Sequence, residues 1–404
     1  LALTQIQAQA ILDMQLRRIA ALERERIETE FQQLRKTIDE LEDLLGDPEK
    51  ILAEEKKDTR KIQKDFGDDR RTEVWDEEPT APTRKELEPH QDMVITITQR
   101  GYVKSMPLDT YKTQHRGGRG VTGMVTRETD ILQNLLVADT HDALLFFTNR
   151  GRVYSKPCYD VQVDASRTTR GTSAVNLLSL NEGEQVSTVL AISSNDKYEF
   201  IMLATRKGEI KRMAFSSLTN IRNNGLIAMD LEPGDEVISV RGANEGDEVV
   251  MVTDKGMAAR FPIANVRISS RMSGGVRGIR LDSDDRVVSM DTVITGAQLF
   301  VVSRRGFGKL TPIQAYRRTA RGAKGVITLK ITDKTGPVAA AHLVMDATEV
   351  MLVSEQGIIE RLALSEVRVT GRIAQGVWLI RDKEKGNSMT VATVTSINSS
   401  LPKA

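Results

Sequence analysis

The sequence predicts a multi-domain chain in which an N-terminal α-helical coiled-coil segment precedes an all-β propeller of six blades. Three observations lead there. A short phrase, made of an apolar run, Thr or Ser, two further residues and Gly, returns six times at intervals of 48 to 57 residues. A fixed period of this size is the signature of stacked supersecondary units. Ahead of the repeats, residues 4–45 hold neither Gly nor Pro and carry an apolar seam. Charge divides the chain in the same place. Residues 1–90 hold 16 Lys+Arg against 23 Asp+Glu, and the remainder holds 41 against 33. The total of +1 therefore hides an acidic first part and a basic second part, and the basic part suits a polyanion.

In the first part, Ile27, Phe31, Leu34, Ile38, Leu41 and Leu45 step alternately by four and three residues. That spacing is a coiled-coil seam. It spans under three heptads, so its partner helix must come from elsewhere. Gly46 ends this helix, and Asp47 followed by Pro48 reads as the cap and first turn of the next. The second helix should run to Phe66 and stop at Gly67. The helical segment is thus expected over 1–70. Residues 71–90, polar and with three prolines, read as a linker.

The propeller is expected over 91–395, with a tail at 396–404. The runs VITIT, LLFFT, FIMLAT, VVMVT, LFVVS and VMLVS precede Gly101, Gly151, Gly208, Gly256, Gly306 and Gly357. A glycine there supplies the positive φ that a tight hairpin needs. A second glycine follows 17 to 20 residues on, at Gly120, Gly171, Gly225, Gly275, Gly325 and Gly376. An acidic residue follows that, at Asp130, Glu184, Asp235 and Asp285. Roughly four strands per repeat, six times over, close best as a ring, which leaves only short, protected edges.

Candidate chemistry is sparse outside one motif. His90, His115, His141 and His342 are scattered, with no metal-ligand spacing. The single Cys158 excludes an intramolecular disulfide and fits a reducing compartment. No glycine loop leads from a strand into a helix, so no nucleotide site is expected. Tyr102, Tyr111, Tyr154, Tyr159 and Tyr316 lie in or just after repeat phrases and read as packing residues. No catalytic residue or metal ligand is assigned, and no cofactor. The chain has no apolar stretch of 18 residues and no leader, so a soluble, cytoplasmic protein is expected. It opens inside a helix, which suggests a piece of something longer.

The motif is QHRGGRG at 114–120. Gly117 and Gly118 let the backbone approach a ligand, and turn amides can cradle phosphate oxygens. Arg116 and Arg119 can each grip a phosphate with two parallel hydrogen bonds. Gln114 and His115 add polar contacts, and Gly120 closes the run. The same place in the other repeats is basic too: Arg167 and Arg170, Arg222, Arg271 and Arg277, Arg318 with Arg321 and Lys324, and Arg372. Strand positions after the hairpin glycine add Lys104, Lys211, Arg212, Arg260, Lys309 and Arg361. Repetition should arrange these charges as a belt along a phosphate backbone. Aromatics make up only 4% of the chain, too few for a stacking platform, and no recognition helix accompanies the strands. Duplex DNA held through its backbone and deformability is the partner this composition suits.

The run IQAQAILDMQLRRIAALERERIE, the stretches DPEKIL and GDDRRTEV, the six repeats and QHRGGRG together resemble the A subunits of bacterial DNA gyrases. The resemblance covers essentially the whole chain. It implies that residues 1–66 belong to a coiled-coil arm and dimer contact at the exit gate of a type IIA topoisomerase. It implies that 91–395 form a six-bladed β-pinwheel that wraps DNA, so that an ATP-dependent reaction introduces negative supercoils. The family's box reads QRRGGKG; Gln114, Arg116, Gly117, Gly118 and Gly120 match it, Arg119 keeps the charge, and His115 departs from it. The family's DNA-cleaving tyrosine lies upstream, and no tyrosine here stands in its context. The implied partners are duplex DNA, a second copy of the A chain as a homodimer, and the gyrase B chain, in an A2B2 heterotetramer on the chromosome. ATP and Mg are bound through the B chain. The alternatives are the topoisomerase IV counterpart, whose box is degraded, and a protein-binding propeller scaffold, whose usual Trp-Asp and kelch signatures are absent.

Overall fold

The computed structural model describes residues 3–13, 21–72, 82–115, 121–122, 130–164, 166, 169–345, 349–354, 357–380 and 391–397. The chain divides into two compact units, Leu1–Ala81 and Pro82–Ala404. The first holds helices Gln5–Leu12, Ala21–Gly46 and Pro48–Phe66. Thr4 caps the shortest through a reciprocal pair with Gln7. The Asp47 carboxylate accepts from the Glu49 amide at 2.9 Å, and Pro48 occupies the first turn, where its missing N–H costs nothing. The helix boundaries fall where the cap residues put them. Ile27, Phe31, Leu34, Ile38, Leu41 and Leu45 are 47–72% exposed, so the seam faces solvent in this chain.

The second unit is a six-bladed β-propeller. Six sheets succeed one another, each built around one antiparallel hairpin. The strands Leu132–Asp139, Val186–Ile192, Val237–Ala243, Val287–Val293, Val338–Val344 and Val391–Ile397 touch in turn, and the last touches the first. These are the inner strands, and they close the ring. Val391–Ile397 takes in residues 396 and 397, which had been expected in the tail.

The repeated phrase has a local cause. Its six glycines have φ between 68° and 89°, the left-handed region that a side chain resists. The Thr or Ser three residues before is fully buried, and its hydroxyl spans the turn. Thr98 Oγ1 accepts from the Tyr102 amide at 3.1 Å, Thr205 from Glu209 at 3.1 Å, and Ser303 Oγ from Phe307 at 3.2 Å. The acidic mark serves the same hairpin from the neighbouring strand. Asp130, Asp235 and Asp285 accept from the amides of Arg100, Lys207 and Lys255 at 3.1, 3.0 and 3.2 Å. Two marks separated in sequence, the phrase and the acidic residue, thus satisfy one turn.

Blades and repeats do not coincide. The outer strand of each blade comes from the following repeat: Thr172–Ser173 joins the first blade, Val276–Arg277 the third and Val377–Trp378 the fifth. The sixth blade is completed by the first repeat, through Thr113–Gln114 and Val121–Thr122. Period alone locates units; it does not say which neighbour takes each edge strand. Apolar clusters fill the seams between blades. Val94, Met106, Tyr111 and Leu132 of the first repeat pack against Met351, Val353 and Ile359 of the sixth. Each fully buried side chain of this size contributes about 1.5–3 kcal/mol.

Residues 82–90, expected as linker, are part of the second unit. The Thr140 hydroxyl donates to the Pro89 carbonyl at 2.6 Å, and His141 Nε2 lies 2.8 Å from the Glu88 carbonyl. His90 Nδ1 lies 2.8 Å from Asp139 Oδ1, and its ring stacks on His141 at 3.9 Å. Two histidines distant in sequence therefore meet. Among the described residues, no group of three or more His, Cys, Asp or Glu could hold a metal.

Candidate nucleic-acid interface

The basic glycine run begins at the place where the ring closes. Thr113 and Gln114 pair in parallel with Arg361 and Leu362, and Val121 and Thr122 pair antiparallel with Ile359 and Ile358. Both ends of the run are therefore tied to one strand of the sixth blade, Ile358–Ala363. Beneath it, Arg361 donates from Nε to Glu349 at 2.7 Å and from a terminal nitrogen to the Tyr111 carbonyl at 2.9 Å. His115 is almost wholly exposed, with Nδ1 2.7 Å from Glu366 Oε1. Arg116, Gly117, Gly118, Arg119 and Gly120 lie outside the described residues, as does Arg167.

The other predicted contacts fall into three groups. Arg170, Arg222 and Arg277 are exposed and Arg271 is half-exposed. Arg222, Arg271 and Arg277 make no side-chain hydrogen bond or ion pair with described residues. Arg170 sits over the Tyr102 ring, 5.6 Å from its centre. A second group reaches the surface already engaged: Arg318 pairs with Glu248, and Lys324 pairs with Asp282 at 2.6 Å. Arg321 donates to the carbonyls of Asn265 and Arg277 at 2.9 and 2.7 Å, and Arg372 to that of Ile327 at 3.2 Å.

The third group corrects the sequence reading. Lys104 is 1% exposed, and its ammonium donates to the Thr169 carbonyl at 3.3 Å, so it cannot meet a phosphate. Lys211 and Lys309 are equally buried, and burial pushes each down to about 8. Arg212 pairs with Glu245 and is buried. Arg260 holds Glu248 at 2.6 Å and the carbonyls of Ile313 and Tyr316 at 2.9 and 3.2 Å. A strand inside a propeller faces neighbouring blades on both sides, and alternation cannot reveal this when the buried residue is charged. Of the five tyrosines read as packing residues, Tyr111, Tyr154 and Tyr316 are at most 2% exposed, and Tyr102 and Tyr159 are half-buried.

Sequence reasoning missed the axial channel. Arg206, Arg241, Arg286, Arg304 and His342 line this space of about 280 Å³ between the inner strands. Arg241 Nε donates to Asp291 at 2.7 Å, and His342 Nδ1 lies 3.4 Å from the same carboxylate. Burial alone would raise the Asp291 carboxyl. Arg241, His342 and the Leu343 amide outweigh it and hold the group well below the usual carboxylate range. The second residue of the repeated phrase, Arg206 in TRKG and Arg304 in SRRG, was the available signal.

The family described as DNA gyrase C-terminal domain, beta-propeller matches residues 92–139, 142–193, 199–244, 247–294, 297–345 and 348–392, one match per repeat. The DNA gyrase A chain of Dehalogenimonas lykanthroporepellens is 41% identical over 398 residues, covering 97% of this chain and 49% of that protein. Its counterpart in Halalkalibacterium halodurans is 47% identical over 388 residues, covering 96% and 46%. The chain thus spans about half the length of these relatives. A solved DNA gyrase A C-terminal domain superposes with a TM-score of 0.68 at 25% identity, covering 76% of this chain and 100% of that one. A solved C-terminal domain of DNA topoisomerase IV shares the fold, with a TM-score of 0.57 at 23% identity over 77% of this chain and 94% of that one.

Proposed function

This chain belongs to the DNA gyrase C-terminal β-propeller domain family, and we propose that it binds and wraps duplex DNA without reading base sequence. The observation that carries the reading is the anchoring of both ends of QHRGGRG to the ring-closing strand. Bending 20–30 base pairs by 40–90° costs about 1–6 kcal/mol, so a wrap needs many contacts. Each neutralised phosphate adds roughly 0.9 to the salt slope. Exposed Arg170, Arg222 and Arg277 and half-exposed Arg271 supply such contacts on other blades of the ring.

Within a complete gyrase A chain, this part directs strand passage toward ATP-dependent negative supercoiling. The seam from Ile27 to Leu45 serves as one side of a coiled-coil arm leading to the dimer gate. A second A chain and two B chains complete the assembly, ATP and Mg enter through the B chains, and the enzyme works on the cytoplasmic chromosome. No described helix of this chain is long and apolar enough to cross a membrane. The intact box supports the gyrase reading over a topoisomerase IV counterpart.

Two measurements test the reading. Duplex binding by the chain should fall steeply with salt and be indifferent to sequence; no binding at low salt would favour a protein scaffold. Arg116→Ala with Arg119→Ala in the complete enzyme should abolish plasmid supercoiling and retain relaxation. Unaltered supercoiling would overturn the box assignment.

A further inference from the structure

Three residues after each hairpin glycine stand Lys104, Tyr154, Lys211, Ala259, Lys309 and Glu360. Lysine occupies this position in the first, third and fifth blades and in none of the others. All three are at most 1% exposed, and each ammonium crosses to a loop of the next repeat. Lys104 donates to the Thr169 carbonyl at 3.3 Å. Lys211 donates to the carbonyls of Arg271 and Ser273 at 2.9 and 2.7 Å, and to that of Ala228 at 2.8 Å. Lys309 donates to the Gly371 carbonyl at 2.8 Å and to that of Arg372. These loops carry Arg170, Arg271 and Arg372.

The other blades hold their neighbours differently. Tyr154 donates to Glu184 of its own repeat at 3.0 Å, and Ala259 offers no polar group. The loops bearing Arg222 and Arg321 therefore lack an ammonium beneath them. A charged donor bonded to carbonyls in a water-excluded seam is stronger than a neutral one and fixes the backbone whose oxygens it holds. With the carbonyls of a loop turned inward, its arginine side chain is left to the outside. Arg271 shows the result: with Arg222, Ser217, Asn220 and Asn224 it lines a notch of about 570 Å³, in which no lining residue is acidic.

We propose that Lys104, Lys211 and Lys309 are positioning residues for the DNA path, presenting Arg170, Arg271 and Arg372 as preformed phosphate contacts on alternate blades, Arg372 with one guanidinium nitrogen on the Ile327 carbonyl at 3.2 Å and the rest of its fork left for phosphate. The loop of Arg222, between those of Arg170 and Arg271, adapts to the duplex; that of Arg321 has no lysine beneath it but is held by the Gly322 amide on the Gly278 carbonyl at 2.7 Å. Preformed contacts avoid the ordering cost that flexible ones incur on binding, so the wrap has a rhythm of two blades rather than one. This rests on the DNA-wrapping reading above.

The experiment measures the salt slope of duplex binding by this chain for Lys211→Met, Arg271→Ala and the double variant. Arg271→Ala should lower the slope by about 0.9, the share of one phosphate. Lys211→Met should lower it by a similar amount, although the charge it removes is buried. The double variant should be no lower than Arg271→Ala. A wild-type slope in a folded Lys211→Met chain, or additive losses in the double variant, overturns the proposal. Lys309→Met with Arg372→Ala repeats the comparison on a second blade should Lys211→Met not fold. Hydrogen exchange of the wild-type chain needs no variant. The amides of Ser269 and Thr370, bonded to the Arg212 and Leu310 carbonyls at 2.9 and 2.8 Å, should be protected without DNA, and those of 220–224 should gain protection only on binding. Equal protection in these three loops before DNA is added also overturns it. A wild-type chain that binds no duplex at low salt removes the wrapping reading instead, while the exchange pattern still decides whether the loops are fixed.

Discussion

The Lys211 ammonium donates to the carbonyl oxygen of Arg271 at 2.9 Å, joining two cations that lie 60 residues apart. One is buried and the other half-exposed, so identical charge does opposite work. Arg271 remains available to a ligand; Lys211 holds the backbone from which Arg271 projects. The equivalent seam position holds lysine in the first, third and fifth blades and Tyr154, Ala259 and Glu360 in the others.

The buried lysines should make stability rise with alkaline pH. Burial lowers Lys211 and Lys309 from 10.5 to about 8. Below pH 8 both folded and unfolded chains carry these charges, and the native state bears the full cost of burying them. Between pH 8 and 10.5 the native state releases its protons first, the unfolded chain holds more, and stability increases. The urea midpoint of the wild type, relative to a Lys211→Met/Lys309→Met chain, should climb across that window. A constant difference would show that the two ammoniums titrate alike in both states.

The hairpin hydroxyls can be tested with the repeats as internal controls. Thr205 is fully buried and accepts from the Glu209 amide at 3.1 Å. Thr205→Val keeps the shape and strands that amide, which should cost about 1–3 kcal/mol in chemical denaturation. Thr205→Ser should cost less than about 1 kcal/mol, because Ser303 and Ser354 make the equivalent bonds at 3.2 and 3.1 Å. A loss for Thr205→Ser with none for Thr205→Val would assign the position to methyl packing instead.

Period, hairpin glycines and helix caps were legible because each follows from local geometry. Gly101 must adopt a φ of 80°, and Asp47 must cap the helix that Pro48 begins, whatever surrounds them. Strand exchange was not legible: nothing in Thr172–Ser173 says that it pairs with Tyr102 and Val103 rather than within its own repeat. The basic belt was legible as composition only. Arg222 and Lys211 look alike in sequence, and which faces water depends on a neighbouring blade. Of the axial arginines, Arg206 and Arg304 escaped notice because they occupy turn residues that the repeat pattern treats as variable, and Arg241 because it lies within an inner strand.

Cys158 should be inert in the native chain. It is 1% exposed, and burial, with Asp142 and Asp139 nearby, pushes its thiol up to about 12. At pH 8 the thiolate fraction is then on the order of 10⁻⁴, so alkylation must await unfolding. Iodoacetamide labelling should be negligible without denaturant and should follow the unfolding transition in urea. Rapid labelling of the folded chain would place the thiol in an open environment.

Ring closure should depend on Arg361 more than any blade interior depends on its equivalent. Arg361 binds Glu349 and the Tyr111 carbonyl at 2.7 and 2.9 Å, and its backbone pairs with Thr113, where the first repeat completes the sixth blade. Arg260 makes matching bonds in the fourth blade, to Glu248 at 2.6 Å and the Tyr316 carbonyl at 3.2 Å, between repeats that the chain already joins. Removing Arg361 takes the only cation among the described residues from the largely buried Glu349 carboxylate and should cost about 3 kcal/mol, most of it recovered by pairing Arg361→Met with Glu349→Leu, whereas Glu248 keeps Arg318 and Arg260→Met should cost less. Only Arg361→Met should also loosen the closing strands, because no covalent link runs from the sixth repeat back to the first. Amides of Gln114, Val121 and Thr122 should then exchange rapidly while Leu352 stays protected, and DNA binding should weaken as the anchors of QHRGGRG are released. If Arg260→Met exposes those same amides to the same degree, closure is held by the apolar seam of Tyr111, Met351 and Val353 rather than by the arginine.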